Sequence, residues 1–122
     1  MKILQFGFDD DESHPFLPHN YPERCVAYTG THDNDTTAGW FRGNGDDTRT
    51  AEEIESTRPN ALKFTGGKAQ TIARDMIRLA FSTRAVMAVA PMQDYLGLGS
   101  EARFNIPGTA GGNSRWRLLE TQ

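Results

Sequence analysis

The sequence contains a single cysteine, Cys25, so no disulfide can form within its 122 residues. Cys25 begins an apolar run at residues 25–28, where a small side chain suits a protein core. A lone thiol in such a position is typical of a reducing compartment. We therefore expect a cytoplasmic protein whose fold does not depend on covalent cross-links.

Long hydrophobic segments and an excess of basic charge are also missing. The first apolar run ends before Asp9, which is shorter than a signal peptide or a membrane span requires. The mean hydropathy of −0.60 is low for a self-contained globule, so a complete core is not expected. The formal net charge is −3, from 13 basic and 16 acidic residues, and it provides no field that would attract nucleic acid. We expect neither a membrane nor a nucleic-acid partner.

Three short apolar runs are typical of β-strands: residues 3–8, 25–28 and 85–90. The last run is continuous, which predicts a strand that is buried on both faces and ends at Pro91. A long connection carrying a helix separates the second strand from the third, and such a connection favours parallel pairing through a right-handed crossover. The order of elements therefore predicts an α/β fold.

Two longer helices are predicted between the second and third strands. Apolar side chains recur at helical spacing over residues 68–82, which predicts an amphipathic helix covering a sheet face. The apolar positions of this helix are Ala69, Ile72, Ala73, Met76 and Ala80. The charged residues Arg74, Asp75 and Arg78 fall outside this apolar face. Residues 48–57 are compatible with an exposed helix that Arg58 and Pro59 would stop.

Two patterns suggest ligand sites but fail on spacing. The acidic run at residues 9–12 lacks the alternating ligands and the central glycine of a calcium-binding loop, so a solvated loop is favoured. The segment at residues 66–68 has the Gly-Lys end of a phosphate-binding loop. Leu62 occupies the position of its first glycine, and Ala69 that of its hydroxyl.

The polar segment after the second strand is the strongest candidate for a functional site. Residues 25–36 read CVAYTGTHDNDT and deliver His32, Asp33, Asn34 and Asp35 consecutively. The carboxyl ends of buried parallel strands are where α/β enzymes place their catalytic groups. A helix predicted at residues 36–41 offers a simpler explanation, since Asn34 or Asp35 would then lie near its amino terminus and satisfy free amides.

The segment THDNDT after an apolar strand closely resembles the 4-α-glucanotransferases, the amylomaltase or disproportionating-enzyme family (glycoside hydrolase family 77). Two further segments match this family. They are MKILQFGF with the downstream PHNY, and MQDYLGLGSEARFNIPGT. The resemblance covers roughly the last quarter of much longer enzymes and implies that residues 1–122 form a single partial domain. This domain would contain the last three strands of a (β/α)8 barrel, with their helices and loops.

The resemblance implies a specific chemistry. Retaining glycosyl transfer uses one carboxylate as nucleophile and another as acid/base. A third, fixed anion stabilises the positive charge of the transition state. In the family this third role belongs to the residue matching Asp33, and the residue matching His32 hydrogen-bonds the sugar. No metal or organic cofactor is implied.

The other two carboxylates of the family lie before any segment matched here. No residue of this chain can inherit the role of nucleophile or of acid/base, so we expect the isolated chain to have little or no activity. Glu101 is a tempting acid/base, but a solvated carboxylate or one paired with Arg103 is favoured. An alternative metal-dependent site at His32 and Asp33 would require His14 or His19 as partners.

Phe8 and Asn105 are the remaining candidate sugar-binding residues. The ring of Phe8, at the end of the first strand, could stack on glucose, and core packing is the equally weighted alternative. For Phe6, core packing is favoured. Asn105 could donate a hydrogen bond to a sugar hydroxyl, although turn geometry before Pro107 also explains it.

The implied activity is transfer of α-1,4-glucan segments between maltooligosaccharides. Three strands of an eight-strand barrel leave two sheet edges unpaired, and such edges seek partners. We therefore expect a homo-oligomer. The competing interpretation is a non-catalytic, self-associating module that at most binds glucan.

Overall fold

The computed structural model describes residues 1–8, 13–43 and 48–122. Its strands are β1 (Lys2–Ile3), β2 (Val26–Tyr28) and β3 (Met87–Val89). Its α-helices are α1 (Thr37–Arg42), α2 (Ala51–Thr65), α3 (Ile72–Ser82) and α4 (Met92–Tyr95). The predicted α/β class is confirmed. The acidic run at residues 9–12, predicted to be a solvated loop, lies outside the described residues.

The strands form one parallel sheet in the order β1-β2-β3. Lys2 lies opposite Ala27, which lies opposite Ala88, and the next residue of each strand pairs in the same register. Because all three strands run in one direction, the segments that follow them start from the same end of the sheet, called its carboxyl edge below. The carboxyl edge brings together loops that are far apart in sequence.

One face of the sheet is covered by helices, and the other is open at β3. Ala27 is fully buried in the core beneath α3, and Ala88 packs against the same core. The prediction that β3 is buried on both faces is wrong, since Met87 is 57% exposed. A continuous apolar run indicates a strand that can be buried on both faces, but the described residues cover only one face of β3.

The first strand is shorter than predicted. Residues 3–8 were expected to be extended, but the chain leaves β1 in a 3-10 turn, Leu4–Phe6, closed by a hydrogen bond from Gly7 N to Leu4 O at 3.0 Å. In an extended strand, residues two apart share one face. The turn breaks this alternation, so that Phe6 is 52% exposed and Phe8 only 2% exposed.

Helix α2 continues past the position where the sequence predicts its end. It begins with a capping box between Thr50 and Glu53, includes Pro59, and ends at Gly66, whose φ of 67° lies in the left-handed region. Arg58 Nε donates to Phe41 O at 2.8 Å, and Arg58 Nη2 donates to Arg42 O. These bonds satisfy carbonyls at the end of α1 and hold α2 against it, so tertiary contacts override the helix-stopping tendency of Arg58 and Pro59.

Helix α3 buries four of the five predicted apolar positions and, in addition, Ile77 and Asp75. It is preceded by a 3-10 turn, Ala69–Thr71, and Ala69 itself is exposed. Asp75 was expected to lie outside the buried face but is only 5% exposed. Its carboxylate accepts a hydrogen bond of 2.5 Å from Thr71 Oγ1, which lowers the cost of burying the charge.

The core lies between the sheet and the helices and is rich in large side chains. Trp40 packs there, with its ring tilted against that of Phe8. Tyr21 is 1% exposed, and its hydroxyl has no hydrogen-bond partner in the described part of the chain. Burial, and secondarily the neighbouring Cys25, raise the pKa of Tyr21. Over the described ranges, no helix is both long and apolar enough to cross a membrane.

We predict that Tyr21→Phe keeps the free energy of unfolding at neutral pH unchanged or raises it by about 1 kcal/mol, because it removes a buried unpaired hydroxyl. At alkaline pH the difference should grow. The unfolded phenol ionises near pH 10 while burial raises the pKa in the folded state, so the parent chain loses stability as the pH rises past about 10.

Urea unfolding at pH 7 and at about pH 11 measures both effects. Tyr95→Phe is the matched control, since Tyr95 is exposed and should respond little at either pH. A loss of more than about 1 kcal/mol for Tyr21→Phe at pH 7 would contradict the prediction.

Candidate functional site

A tight polar turn follows β2 and carries the predicted site residues. Asn34 N donates to Thr31 O at 3.1 Å, and Asn34 Oδ1 accepts from the backbone nitrogen and the hydroxyl of Thr31 at 2.8 and 2.9 Å. The backbone nitrogen of Asp33 donates a hydrogen bond to the same hydroxyl oxygen at 3.3 Å. The Asn34 side chain thus stabilises the turn, while His32 and Asp33 lie exposed at its tip.

Three of the four predicted site residues lie together at this edge. Asn105 Nδ2 donates to Asp33 Oδ1 at 2.7 Å. His32 Nε2 lies 3.4 Å from the same oxygen, which is ion-pair distance when the imidazole is protonated. Asn105 belongs to the segment after α4, so its amide fixes the Asp33 carboxylate from a part of the chain 72 residues away.

Arg103 holds the two segments together, a role that sequence reasoning missed. Its Nη2 donates to Asp33 O at 2.9 Å, and its Nε donates to Asn105 O at 2.8 Å. Glu101, considered as its partner, instead accepts from Gly99 N at 3.0 Å. Since both acceptors are backbone carbonyls, the sequence carries no pattern that could have identified this bridge.

Asp35 connects the turn to the other two strand ends. Its Oδ2 accepts from Ser100 Oγ at 2.7 Å, and its carbonyl oxygen accepts from Gln5 Nε2 at 3.0 Å. Asp35 Oδ1 also accepts from Thr36 N at 2.8 Å. The N-cap of α1 is Thr36, whose Oγ1 accepts from Gly39 N at 3.2 Å. Asp35 therefore lies at the amino terminus of this helix and satisfies a free amide there, as predicted.

Phe8 is not brought to this cluster. Its ring packs in the core against Trp40 and Phe64, at centroid distances of 5.9 and 5.7 Å. This is the core-packing alternative that the sequence left open. Phe6, for which core packing was favoured, lies beside Asp33 on the surface instead. The 3-10 turn after β1 is the reason that Phe8 is buried and Phe6 is exposed.

Two of the surface clefts at the cluster are lined by Asp33. One has a volume of about 510 Å³ and the other about 490 Å³, and both are lined by Phe6, Asp33 and Asn34. The first also contacts Arg103, and the second also contacts His32. A larger cleft of about 810 Å³ lies between the helices and contains none of the predicted site residues. Asp33 therefore borders concave surface in two clefts.

The alternative metal site is not supported by the geometry. His14 Nδ1 accepts from Phe16 N at 3.1 Å, and the ring of His19 stacks on that of Phe64. Across residues 1–8, 13–43 and 48–122, no three side chains of His, Cys, Asp or Glu are grouped so that they could hold a metal ion. The partners that this interpretation requires are engaged elsewhere.

We predict that Gly39→Ala destabilises the chain by about 1–3 kcal/mol, because the added methyl would lie 2.3 Å from Ser100 Oγ and 2.6 Å from both Asp35 carboxylate oxygens. Urea unfolding measures the change. Gly111→Ala is the control, since an added methyl there meets nothing within 4 Å. Equal stability of the two variants would contradict the packing of Asp35 against α1.

Comparison with known proteins gives one consistent family. A family model described as 4-alpha-glucanotransferase matches residues 1–121. The 4-alpha-glucanotransferase of Synechocystis is 47% identical over all of this chain and 23% of its own length. The Thermus thermophilus enzyme of that name is also 47% identical, over 98% of this chain and 24% of its own length. A chloroplastic/amyloplastic relative from Solanum tuberosum is 46% identical over 97% of this chain and 19% of its own length.

The fold is similar to that of a solved relative. An amylomaltase from Streptococcus agalactiae, in complex with acarbose, aligns with a TM-score of 0.84 and 33% identity. The alignment covers 99% of this chain and 23% of that protein. The chain thus spans about a fifth to a quarter of the length of these relatives. The matching model, the relatives and the shared fold agree, and the chain belongs to the 4-alpha-glucanotransferase family.

Proposed function

We propose that this chain supplies the transition-state-stabilising part of a 4-α-glucanotransferase active site. The observation that carries the proposal is the Asp33 carboxylate, which Asn105 holds at 2.7 Å beside His32, at the carboxyl edge of a parallel sheet. The substrates would be α-1,4-glucans or maltooligosaccharides. The acarbose complex of the Streptococcus agalactiae relative supports a sugar ligand of this class.

The proposed role of Asp33 is electrostatic. Glycosyl transfer passes through an oxocarbenium-like state, and a fixed anion stabilises that state more than it stabilises the neutral substrate. The hydrogen bond from Asn105 Nδ2 orients the carboxylate before the sugar arrives, so little reorganisation is needed during the reaction. His32 would hydrogen-bond a sugar hydroxyl, since it lies exposed on the same turn. Asn105, which lies beside Asp33, would donate a hydrogen bond to a sugar hydroxyl.

The three strands would be the sixth, seventh and eighth of a (β/α)8 barrel, and the mechanism would be retaining. Their parallel order and the position of the site at their carboxyl ends support this assignment. The nucleophile and the acid/base would come from the earlier part of the barrel. Such a division is consistent with a chain that spans 23% of the Synechocystis relative. A cytoplasmic location stays a prediction.

We predict that the purified chain does not disproportionate maltotriose. Turnover should appear when a polypeptide carrying the preceding part of a family member is added, because that part would supply the two missing carboxylates. In the reconstituted system, Asp33→Asn should lower kcat by a factor of about 10²–10³. Glu55→Gln on the exposed surface of α2 removes a carboxylate in the same way and should leave kcat unchanged.

The assay is release of glucose from maltotriose. Turnover by the isolated chain at the rate of a complete family member would sink the proposal of a divided active site. Equal kcat values for the Asp33→Asn and Glu55→Gln variants would contradict the role of Asp33.

A second candidate is a non-catalytic, self-associating module. It is favoured by the open edge of the sheet, where Val86 is 73% and Met87 57% exposed. Exposed apolar side chains on an edge strand promote pairing with another chain. Glucan binding without turnover after the missing part has been added would favour this module.

We predict that the chain self-associates at micromolar concentration and that Met87→Lys shifts it toward monomer, because a charged side chain on an edge strand opposes pairing. Light scattering measures the mass. Arg84→Lys, just before the strand and exposed, serves as a control that keeps the charge. A stable monomer of the parent chain would contradict the prediction and mean that the sheet edges are closed in another way.

A further inference from the structure

The turn that carries His32 and Asp33 begins and ends beside one buried carboxylate. Asp94 Oδ2 accepts from Thr29 Oγ1 at 2.6 Å, directly after β2. Asp94 Oδ1 accepts from Thr37 N at 2.8 Å, and its Oδ2 also accepts from Thr37 Oγ1 at 2.8 Å. Thr29 and Thr37 flank residues 30–36, so both ends of the turn are fastened to the same side chain.

We propose that Asp94 is a positioning residue for the proposed glucan site. It sets the distance between the two ends of residues 30–36 and thereby the direction in which Asp33 projects. The inference rests on the proposed function for its sugar-binding consequence, but its structural consequence can be measured without any ligand.

The buried position of Asp94 makes these bonds strong and selective. Asp94 is only 2% exposed, so the three donors that face it take the place of water around its carboxylate oxygens. Hydrogen bonds to an ionised group are about twice as strong as neutral ones, and a buried carboxylate that loses its donors is costly. Any movement of Thr29 or Thr37 away from Asp94 therefore carries a penalty.

Asp94 also connects the turn to the third strand. It lies in α4, which follows β3 after Pro91, while Thr29 follows β2 and Thr37 begins α1. One side chain thus joins a strand end, a helix start and the segment after the neighbouring strand. Fixing both ends of a short segment removes many of its conformations before ligand binding, so less ordering is left for the ligand to impose.

A near-isosteric substitution tests the carboxylate itself. In Asp94→Asn one acceptor oxygen is replaced by an NH2 group, which would face at least one of the three donors now bound. Thr37→Val removes one hydroxyl donor from the partner side, and Thr37→Ser retains it. The Ser variant should therefore behave like the parent chain.

The chain provides a matched control in Asp75. This carboxylate is also buried, at 5% exposure, and it accepts from Thr71 Oγ1 at 2.5 Å. Asp75 lies in α3 and Thr71 just before it, so neither belongs to residues 30–36. Asp75→Asn should lower the global stability without releasing the turn.

The test uses NMR of the 122-residue chain and its variants. Hydrogen exchange of the Asn34 amide reports the turn, because that amide donates to Thr31 O. The side-chain NH2 resonances of Asn105 report its bond to Asp33. We expect Asp94→Asn and Thr37→Val to speed Asn34 exchange by about tenfold or more and to shift the Asn105 resonances toward those of a solvent-exposed amide. Asp75→Asn and Thr37→Ser should change neither.

The second measurement is calorimetric titration of acarbose into the chain reconstituted with the preceding part of a family member, in which Asp94→Asn should weaken binding by about tenfold or more relative to Asp75→Asn. If the reconstituted parent chain does not bind acarbose, the proposed function fails, while the exchange and resonance data still decide the role of Asp94. Asn34 exchange and Asn105 resonances that respond equally to Asp94→Asn and Asp75→Asn would overturn the inference.

Discussion

Parallel pairing of three short strands is the constraint on which the rest of the structure depends. β2 lies between β1 and β3, and both pairs run in the same direction. The segments that follow the strands therefore start at one edge, although Asp33 and Asn105 are 72 residues apart. If β3 ran antiparallel to β2, the Asp33 and Asn105 side chains would lie at opposite ends of the sheet.

Hydrogen bonds between side chains and loops, rather than apolar packing, define the geometry at this edge. Asp94 fastens both ends of the turn, Asp35 joins it to the other strand ends, and Arg103 bridges the backbones of Asp33 and Asn105. The buried bonds to Asp94 specify one arrangement most strongly, because leaving one of them unmade leaves a poorly solvated polar group. The apolar core lies on the helical side and supports this edge without forming it.

Much of the fold followed from local sequence, and the departures have physical causes. The apolar runs predicted the places of β2 and β3, and periodicity predicted the buried face of α3. The sequence predicted that α2 stops at Arg58 and Pro59, but the helix continues, because Arg58 donates hydrogen bonds to carbonyls at the end of α1. Asp75 was placed on the wrong face, although a local partner, Thr71 four residues earlier, donates to its carboxylate and lowers the cost of burying it. At the end of α2, a tertiary contact outweighed a local tendency.

The sequence by itself determined the α/β class, the family resemblance and the candidates His32, Asp33 and Asn105, because short apolar runs and contiguous motifs are local properties of the chain. Only the tertiary structure decided that Phe6 rather than Phe8 lies at the surface near Asp33, that Arg103 bridges two loops, and that Asp94 anchors the turn. These features depend on contacts between residues distant in sequence or on the exit angle of a turn. No periodicity encodes either one.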